Sequence, residues 1–430
     1  MKAAFYTLGC KVNQTESEYM AELLERAGFE IVSPSDEADY YIINSCTVTA
    51  TADQKTRQNV RKFKRKHPDS VVILTGCMPQ AFPDEASALE EADIVLGNKN
   101  DNDILSLIND YNISHNRIIA VSEHKTGDSF EPCSISKFSE RVRAFVKIED
   151  GCDRFCSYCI IPMSRGRVRS KSPAELEKEI KMLSDNGIKE IVLVGINLSA
   201  YGKGKAFDIA DAVRICNDNP DILRVRLGSL EPDHITDEII ERLSSFEKLC
   251  PQFHISLQSG CNKTLKNMRR HYTAEEYSEL CNKLRNRFEN ATITTDVMVG
   301  FNDESEADFE ESLAFVKKIR FEKVHTFPYS ERKGTSASKI GDSVSKQKKE
   351  ARAAVMIEET EKIRLEYMQS LIGNNEAVLF ENEIEKGVFQ GYTRGYIPVR
   401  VKSDEDIIGK EITVSIDEVC GEYCISNSAH

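Results

Sequence analysis

Over the first hundred residues, short apolar runs alternate with longer stretches in which apolar and polar positions share helical spacing. Ala3 to Leu8, Tyr40 to Asn44, Val71 to Thr75 and Ile94 to Leu96 read as strands. Glu16 to Ala27, Asp53 to Lys66 and Asp84 to Glu91 read as helices. Apolar strands separated by helices predict a parallel sheet. Residues 101–141 are polar with weak periodicity, which predicts one last helix and a linker over 111–141.

A second series begins at Arg143. Its strands are Arg143 to Ile148, Glu190 to Val194, Leu223 to Leu227, Phe253 to Leu257, Thr292 to Met298 and Lys323 to Phe327. Helices fall between them, such as Pro173 to Asn186, with Pro in the first turn and Gly187 as the stop, and Ala274 to Arg287. Six strand–helix units are too few for a closed eight-stranded barrel, so an open three-quarter TIM barrel is expected, with its chemistry at the strand C-termini. A charged helix, Ser345 to Ile372, leads to five short strands with Gly and Asn turns between Glu376 and Ser426. These predict a small OB-like β-barrel. The expected α/β architecture is therefore an N-terminal sheet unit over 1–110, an open (β/α)6 barrel over 142–370 and a C-terminal β-barrel over 371–430.

Composition narrows the setting. At 40% hydrophobic and 30% charged residues, the 430-residue chain reads as an ordinary soluble protein. No apolar run is long enough to span a membrane, and MKAAFYTLGCKVNQ lacks a signal-peptide core, so a cytoplasmic location is expected. Thirteen cysteines in such a chain favour metal ligation or catalysis over disulfides. A net charge of −13 argues against chain-wide affinity for nucleic acid but leaves local basic faces. Two stand out: Lys55, Arg57, Arg61 and Lys62 with the basic residues that follow, and Arg165, Arg167, Arg169 and Lys171. Solvated helix faces are the plainer reading of such runs.

The most informative segment is Cys152-Asp153-Arg154-Phe155-Cys156-Ser157-Tyr158-Cys159, a C-x3-C-x2-C loop after the first barrel strand. Three closely spaced thiolates can hold three irons of a cubane cluster and leave the fourth open to a small molecule. A closed zinc site needs four ligands, and no fourth is apparent. Cys10, Cys46 and Cys77 form a second set. Each follows a strand end and precedes a helix, and in a parallel sheet those positions share one edge. Shared placement favours a second cluster; three small buried thiols are the alternative. Cys420 and Cys424 read as structural thiols.

The Cys152 loop, with Tyr158 before its last cysteine, resembles the signature of radical S-adenosylmethionine (SAM) enzymes. The resemblance extends over nearly the whole chain to the radical SAM methylthiotransferases. It is carried by TLGCKVNQTES (Thr7 to Ser17), NSCTVT (Asn44 to Thr49), TGCMPQ (Thr75 to Gln80), HISLQSG (His254 to Gly260), RRHYTAEEY (Arg269 to Tyr277), TDVMVGF (Thr295 to Phe301) and FPYSERKGTSA (Phe327 to Ala337). It implies two [4Fe–4S] clusters, one on Cys152, Cys156 and Cys159 and one on Cys10, Cys46 and Cys77, and a C-terminal TRAM module. SAM contacts are implied for Tyr158, Gly195, Asn197, Ser229, Glu231, Gln258, Arg270, Val299 and Phe301. One SAM would methylate a sulfur on the accessory cluster, and a second would be cleaved to a radical that activates C2 of an adenine.

Gly9 to Gln14 is most similar to the branch acting on N6-threonylcarbamoyladenosine at position 37 of tRNA. Branches acting on isopentenyladenosine 37 or on a ribosomal-protein aspartate are the alternatives, and a non-catalytic iron–sulfur RNA-binding protein is the reading from another class. The implied partners are a tRNA anticodon stem-loop and an external flavodoxin- or ferredoxin-type electron donor, and a monomer is expected. Lys55, Arg57, Arg61, Lys62, Arg165, Arg167, Arg169, Arg394 and Arg400 are the expected RNA contacts.

Overall fold

The computed structural model describes residues 1–131, 133–135 and 142–427. Its first sheet has six strands, all parallel, in the spatial order Glu30–Val32, Lys2–Thr7, Tyr40–Ser45, Val71–Gly76, Ile94–Leu96 and Ile118–Ala120. The strand Tyr40–Ser45 is buried at every position, as expected for a central strand with helices on both faces. Two apolar clusters flank the sheet. One is built on Tyr41, Ile43, Val60 and Leu74, the other on Met20, Leu24, Ile42 and Ile73.

Three details differ from the sequence reading. The first helix begins at Lys11 instead of Glu16, because Asn13 folds back to accept a hydrogen bond from the Cys10 N–H at 3.3 Å and starts the turn earlier. The helix read over Asp84 to Glu91 is the single short turn Pro83–Ser87, preceded by an unexpected helix, Cys77–Ala81, that ends where Pro83 has no N–H to continue the ladder. The strands Glu30–Val32 and Ile118–Ala120, three residues each, are too short to show a pattern, and the second extends the N-terminal unit into the expected linker. Residues 132 and 136–141 of that linker lie outside the described residues.

The six barrel strands are Arg143–Lys147, Glu190–Val194, Arg224–Leu227, Gln252–Ile255, Thr292–Val299 and Lys323–Pro328. The first three pair in parallel as one sheet. The last three pair in parallel as another, and Ser229–Leu230 joins the two by pairing with Gln252–Ile255. Among the described residues the first and last strands do not pair, so the barrel is open. The largest apolar cluster lies between these strands and their helices. Val12 of the first helix packs on Val192 and Val194, so the N-terminal unit docks directly on the second barrel strand. The helix Lys346–Ser370 then leads to a six-stranded mixed sheet around a core of Val378, Phe380, Val399 and Val414. No helix among the described residues is long and apolar enough to cross a membrane.

Buried charge ties the units together. Glu16 pairs with Lys147 at 2.8 Å and with Arg165, both across the boundary between the N-terminal unit and the barrel. Arg332 bonds to Asp53 and to Thr47 Oγ1 (2.8 Å) across the same boundary. On the other side, Arg224 donates to the carbonyls of Tyr392 and Ala377, and Arg226 to those of Thr393 and Arg394, each at 2.7 Å.

Candidate active site

Cys10, Cys46 and Cys77 follow the strands Lys2–Thr7, Tyr40–Ser45 and Val71–Gly76, which are neighbours in the sheet. Their convergence is a direct result of parallel pairing, which aligns all three C-terminal ends. Asn13 links them. Its Oδ1 accepts from the Cys10 thiol at 3.3 Å, and its amide donates to Asn44 Oδ1 (3.1 Å) and the Ser45 carbonyl (3.3 Å), 4.0 Å from Cys77 Sγ. Two glycines make the approach possible. Gly9, at φ +119°, would place a Cβ 2.5 Å from Asn13 Oδ1 and 3.0 Å from the Cys46 Cβ; Gly76, at φ +95°, would place one 2.4 Å from Asn44 Oδ1. Burial raises the Cys46 thiol to about 12, with Cys77 adding to the shift, and burial likewise raises Cys77. Arg165 donates to Cys77 Sγ at 3.2 Å.

The second triad lies on the loop after Arg143–Lys147. The Cys152 N–H bonds to the Gly166 carbonyl (3.0 Å), Cys159 N–H to the Cys156 carbonyl (3.0 Å), and Ser157 is held by the Asn267 and Met268 carbonyls at 2.7 and 3.0 Å. Burial raises Cys152 to about 12 and also raises Cys159. Arg270 donates to Cys156 Sγ (3.3 Å), to Tyr272 (3.0 Å) and to Glu231. Among the described residues no set of His, Cys, Asp and Glu is close enough to hold a single metal ion. Cysteines that each bind a different iron of a cubane stand farther apart than ligands sharing one ion. Three soft donors per set suit such a cluster, and the rim beside the Cys152 loop retains unsatisfied acceptors for a polar ligand. Asn197 Oδ1, Gln258 Oε1 and Glu149 Oε1 are buried without a hydrogen-bond partner. Gln258 also adopts φ +69°, a costly conformation for a side-chain-bearing residue.

The expected SAM residues divide into three groups. Gly195 and Ser229 line an open cavity, and Ser229 Oγ lies 3.0 Å from Ser256 Oγ. Glu231 and Arg270 touch the cysteine loop, at Arg154 and Cys156, while Asn197 and Gln258 follow the second and fourth barrel strands, with Asn197 bonded through its N–H to Glu149 at 2.7 Å. Val299 and Phe301 are 1% exposed; Phe301 packs against Tyr158 and Tyr329, at ring-centroid separations of 6.1 and 5.1 Å. Their side chains belong to the core, which leaves only main chain for a ligand.

The cavity measures about 990 Å³ and is walled by all three units. Gly9, Cys10 and Lys11 come from the first, Phe145, Arg226, His254 and Asp296 from the barrel lumen, and Tyr392, Tyr396 and Arg400 from the C-terminal sheet. Tyr392 and Tyr396 stack at 4.7 Å, and the Arg143 guanidinium lies 5.4 Å from each ring. Lys11 reaches solvent through this cavity. Burial against its walls, reinforced by Arg143 and Arg226, pulls its pKa down to about 8. Asn13 and the two tyrosines carry no signal by residue type, and Lys11 none beyond its place in the run that marks the branch: asparagine, lysine and tyrosine are common surface residues. The available signals were the GCKVNQ run for Asn13 and Lys11 and two tyrosines flanking Arg394 for the others.

The expected RNA contacts need correction. Arg165 is fully buried against Glu16 and Cys77, and Arg169 is buried with Asp150 and the Arg165 and Arg167 carbonyls. Neither faces solvent, so neither reaches a phosphate. Arg394 is engaged by the Glu247 and Leu249 carbonyls and fastens the C-terminal sheet to the barrel. Arg57 and Arg61 pair with Glu85 (3.7 Å) and Glu91 (3.3 Å) of the adjacent segment, while Lys55 and Lys62 remain exposed. Arg167 is exposed over the ring of Phe155, and Arg400 lies 3.7 Å from the Tyr423 ring.

Residues 2–97 match a family described as uncharacterized protein family UPF0004, and residues 146–316 match the radical SAM superfamily. A threonylcarbamoyladenosine tRNA methylthiotransferase of Bacillus subtilis is 39% identical, covering 96% of this chain and 93% of its own. Its counterpart in Thermotoga maritima is 38% identical over 91% of this chain and 89% of its own. The chain belongs to the radical SAM methylthiotransferases. A tRNA-2-methylthio-N6-dimethylallyladenosine synthase of Pelotomaculum thermopropionicum is 32% identical, covering 96% of this chain and 95% of its own. Among solved structures, the radical SAM methyltransferase TsrM of Kitasatospora setae shares the fold, with a TM-score of 0.55 at 12% identity, covering 76% of this chain and 74% of its own. Membership makes SAM and iron–sulfur clusters the cofactors of this methylthiotransferase.

Proposed function

We propose that the protein inserts a methylthio group at C2 of N6-threonylcarbamoyladenosine 37 in tRNA. The observation that carries this reading is the three-walled cavity. It connects Cys10 with the SAM rim at Gly195 and Ser229 and with the stacked tyrosines of the C-terminal sheet. Its volume is at the upper end of the roughly 300–1,000 Å³ usual for ligand sites, enough for a flipped modified nucleoside. Its polar and cationic lining suits a threonylcarbamoyl group better than a hydrocarbon one, in line with the higher identity to the threonylcarbamoyladenosine enzymes.

In this reading Cys152, Cys156 and Cys159 hold the catalytic cluster and Cys10, Cys46 and Cys77 the accessory one. The bound cofactors supply single-electron cleavage of SAM, the chemistry that makes a C2–H bond reactive. The chain's own residues position the reactants. Arg270 keeps a guanidinium beside the Cys156 thiol and would pair with a ligand carboxylate by giving up Glu231. Asn197 and Gln258 offer buried carbonyl oxygens to an ammonium. Tyr158 and Phe301 close the apolar side of the rim. Tyr392, stacked on Tyr396, offers its other ring face to a base, and Lys55, Lys62, Arg167 and Arg400 supply charge for phosphates. Phe155, 43% exposed on the cysteine loop beneath Arg167, marks the side from which a flavodoxin- or ferredoxin-type protein would deliver electrons to a monomeric enzyme.

The test is nucleoside mass spectrometry of total tRNA from a strain lacking the gene. The expected result is loss of 2-methylthio-N6-threonylcarbamoyladenosine and accumulation of its unthiolated precursor. If that nucleoside persists and the 2-methylthio-isopentenyl product disappears, the substrate is the other modified adenosine.

A further inference from the structure

The cavity between the three units has a charge pattern that binding SAM and two clusters does not explain. Its walls carry Lys11, Arg143, Arg226, Lys323, Arg364 and Arg400 against two carboxylates, Asp296 and Glu422. Some of this charge is already answered. Arg143 pairs with Glu190 at 3.6 Å and with Glu381 at 3.3 Å, and Arg226 pairs with Glu190 at 2.9 Å. Arg364 donates to the Glu422 carbonyl at 3.4 Å, and Arg400 is held by Gln390 at 2.9 Å and by the Tyr423 ring. His254 stands 3.3 Å from Asp296, which occupies that carboxylate.

Lys11 is different. Among the described residues its ammonium has no ion-pair or hydrogen-bond partner, and its one close contact is the Phe145 ring at 5.5 Å. Glu190, the carboxylate acting on it, is shared by two arginines that repel it. An ammonium with three free donors beside two guanidiniums favours an anion in the adjoining space. Lys323, at the start of the last barrel strand, is also unpartnered, but it is not next in the chain to a cysteine of either set. Lys11 directly follows Cys10 and lines the same cavity, so an anion held there shares that cavity with the accessory site.

We propose that Lys11 binds the carboxylate of the N6 substituent on the substrate adenosine and thereby selects a carboxylate-bearing base over a neutral one. This rests on the substrate reading above, because the threonylcarbamoyl group is what brings a carboxylate into the cavity. The ion pair fixes the substituent, and the base cannot rotate its C2 edge away from the accessory site without breaking it.

The experiment measures binding of cluster-loaded protein to two synthetic anticodon stem-loops. One carries N6-threonylcarbamoyladenosine at position 37, and the other carries its methyl ester, identical except for the lost charge. A charge-assisted bond of this kind is worth roughly ten- to a hundredfold in affinity, so wild-type protein should prefer the acid by at least about tenfold. Lys11→Met should abolish the preference and retain affinity for the ester, and Lys11→Arg should keep most of the preference. Arg400→Ala should weaken both loops equally, as a phosphate contact does. Equal binding of acid and ester by wild-type protein overturns the assignment. So does an undiminished preference in Lys11→Met, or an equal loss of both loops in that variant. Methylthio product is assayed in the same wild-type samples. Product on the acid loop without an acid preference removes the role of Lys11 alone; no product on the acid loop removes the substrate reading.

Discussion

Glu16 is the residue whose loss should most weaken the docking of the N-terminal unit onto the barrel. Its carboxylate side chain is 3% exposed and faces Lys147 (6%) and Arg165 (0%) across the boundary. Asp150 completes the set, 2.7 Å from Lys147 and 3.4 Å from Arg169. Three buried cations therefore face two carboxylates, and Glu16→Gln leaves one carboxylate for all three. Removing one partner of a buried pair costs about 3–5 kcal/mol, because the charge left behind has lost both water and counter-ion. Urea unfolding of the cluster-free protein should show that loss in the transition that separates the two units. The pH dependence follows from the shifts. Burial raises the Glu16 pKa, but Arg165 and Lys147 outweigh burial, and the folded value lies below the ordinary carboxylate range. Its stabilising contribution is complete above the unfolded value of about 4.3 and is lost as pH falls through the lower folded value. The gap between Glu16→Gln and the parent should therefore be full at neutral pH and shrink in acid. Pairing Glu16→Leu with Arg165→Met should recover part of the loss, since the uncompensated cation goes too. A Glu16→Gln protein within about 0.5 kcal/mol of the parent, the usual range for an exposed substitution, would refute this account of the interface.

The two cysteine sets should separate by assay. Cys152→Ala should abolish release of 5′-deoxyadenosine from SAM by reduced protein, whereas Cys46→Ala should leave that release intact and abolish methylthio product. Gly76→Ala should lower the iron content of the accessory site in a Cys152→Ala background, because its Cβ would lie 2.4 Å from Asn44 Oδ1; unchanged iron would show that the turn can yield. Tyr392→Ala should weaken binding of an anticodon stem-loop by about 1–3 kcal/mol, the value of one stacked base, read by fluorescence anisotropy at fixed salt. Iron removal by a chelator under reducing conditions should end catalysis and leave far-ultraviolet circular dichroism nearly unchanged, since each unit has its own apolar core.

The strands were legible because their burial is nearly complete. An unbroken apolar run such as Tyr41-Ile42-Ile43 has no stable alternative to the centre of a parallel sheet. The cysteines were legible for a related reason: parallel topology converts position after a strand into position in space. Charge was read poorly. Arg165 and Arg169 belong to a basic run, yet the carboxylate that neutralises Arg165 is 149 positions away, and sequence proximity carries no sign of it. The cavity was invisible for the same reason. Its walls come from residues between Gly9 and Tyr423, and no local pattern marks residues that meet only after three units dock.

That the cavity is walled by residues some four hundred positions apart, from Gly9 to Tyr423, has a consequence for biosynthesis. Tyr392, Tyr396 and Tyr423 leave the ribosome long after the turn bearing Cys10. During synthesis the emerging protein can build its first sheet and even its barrel, but the chamber holding the base stays open on one side. The two cysteine sets are thus in place before the wall that closes the chamber over them, and a base can be seated between all three walls only after Tyr423 has been added.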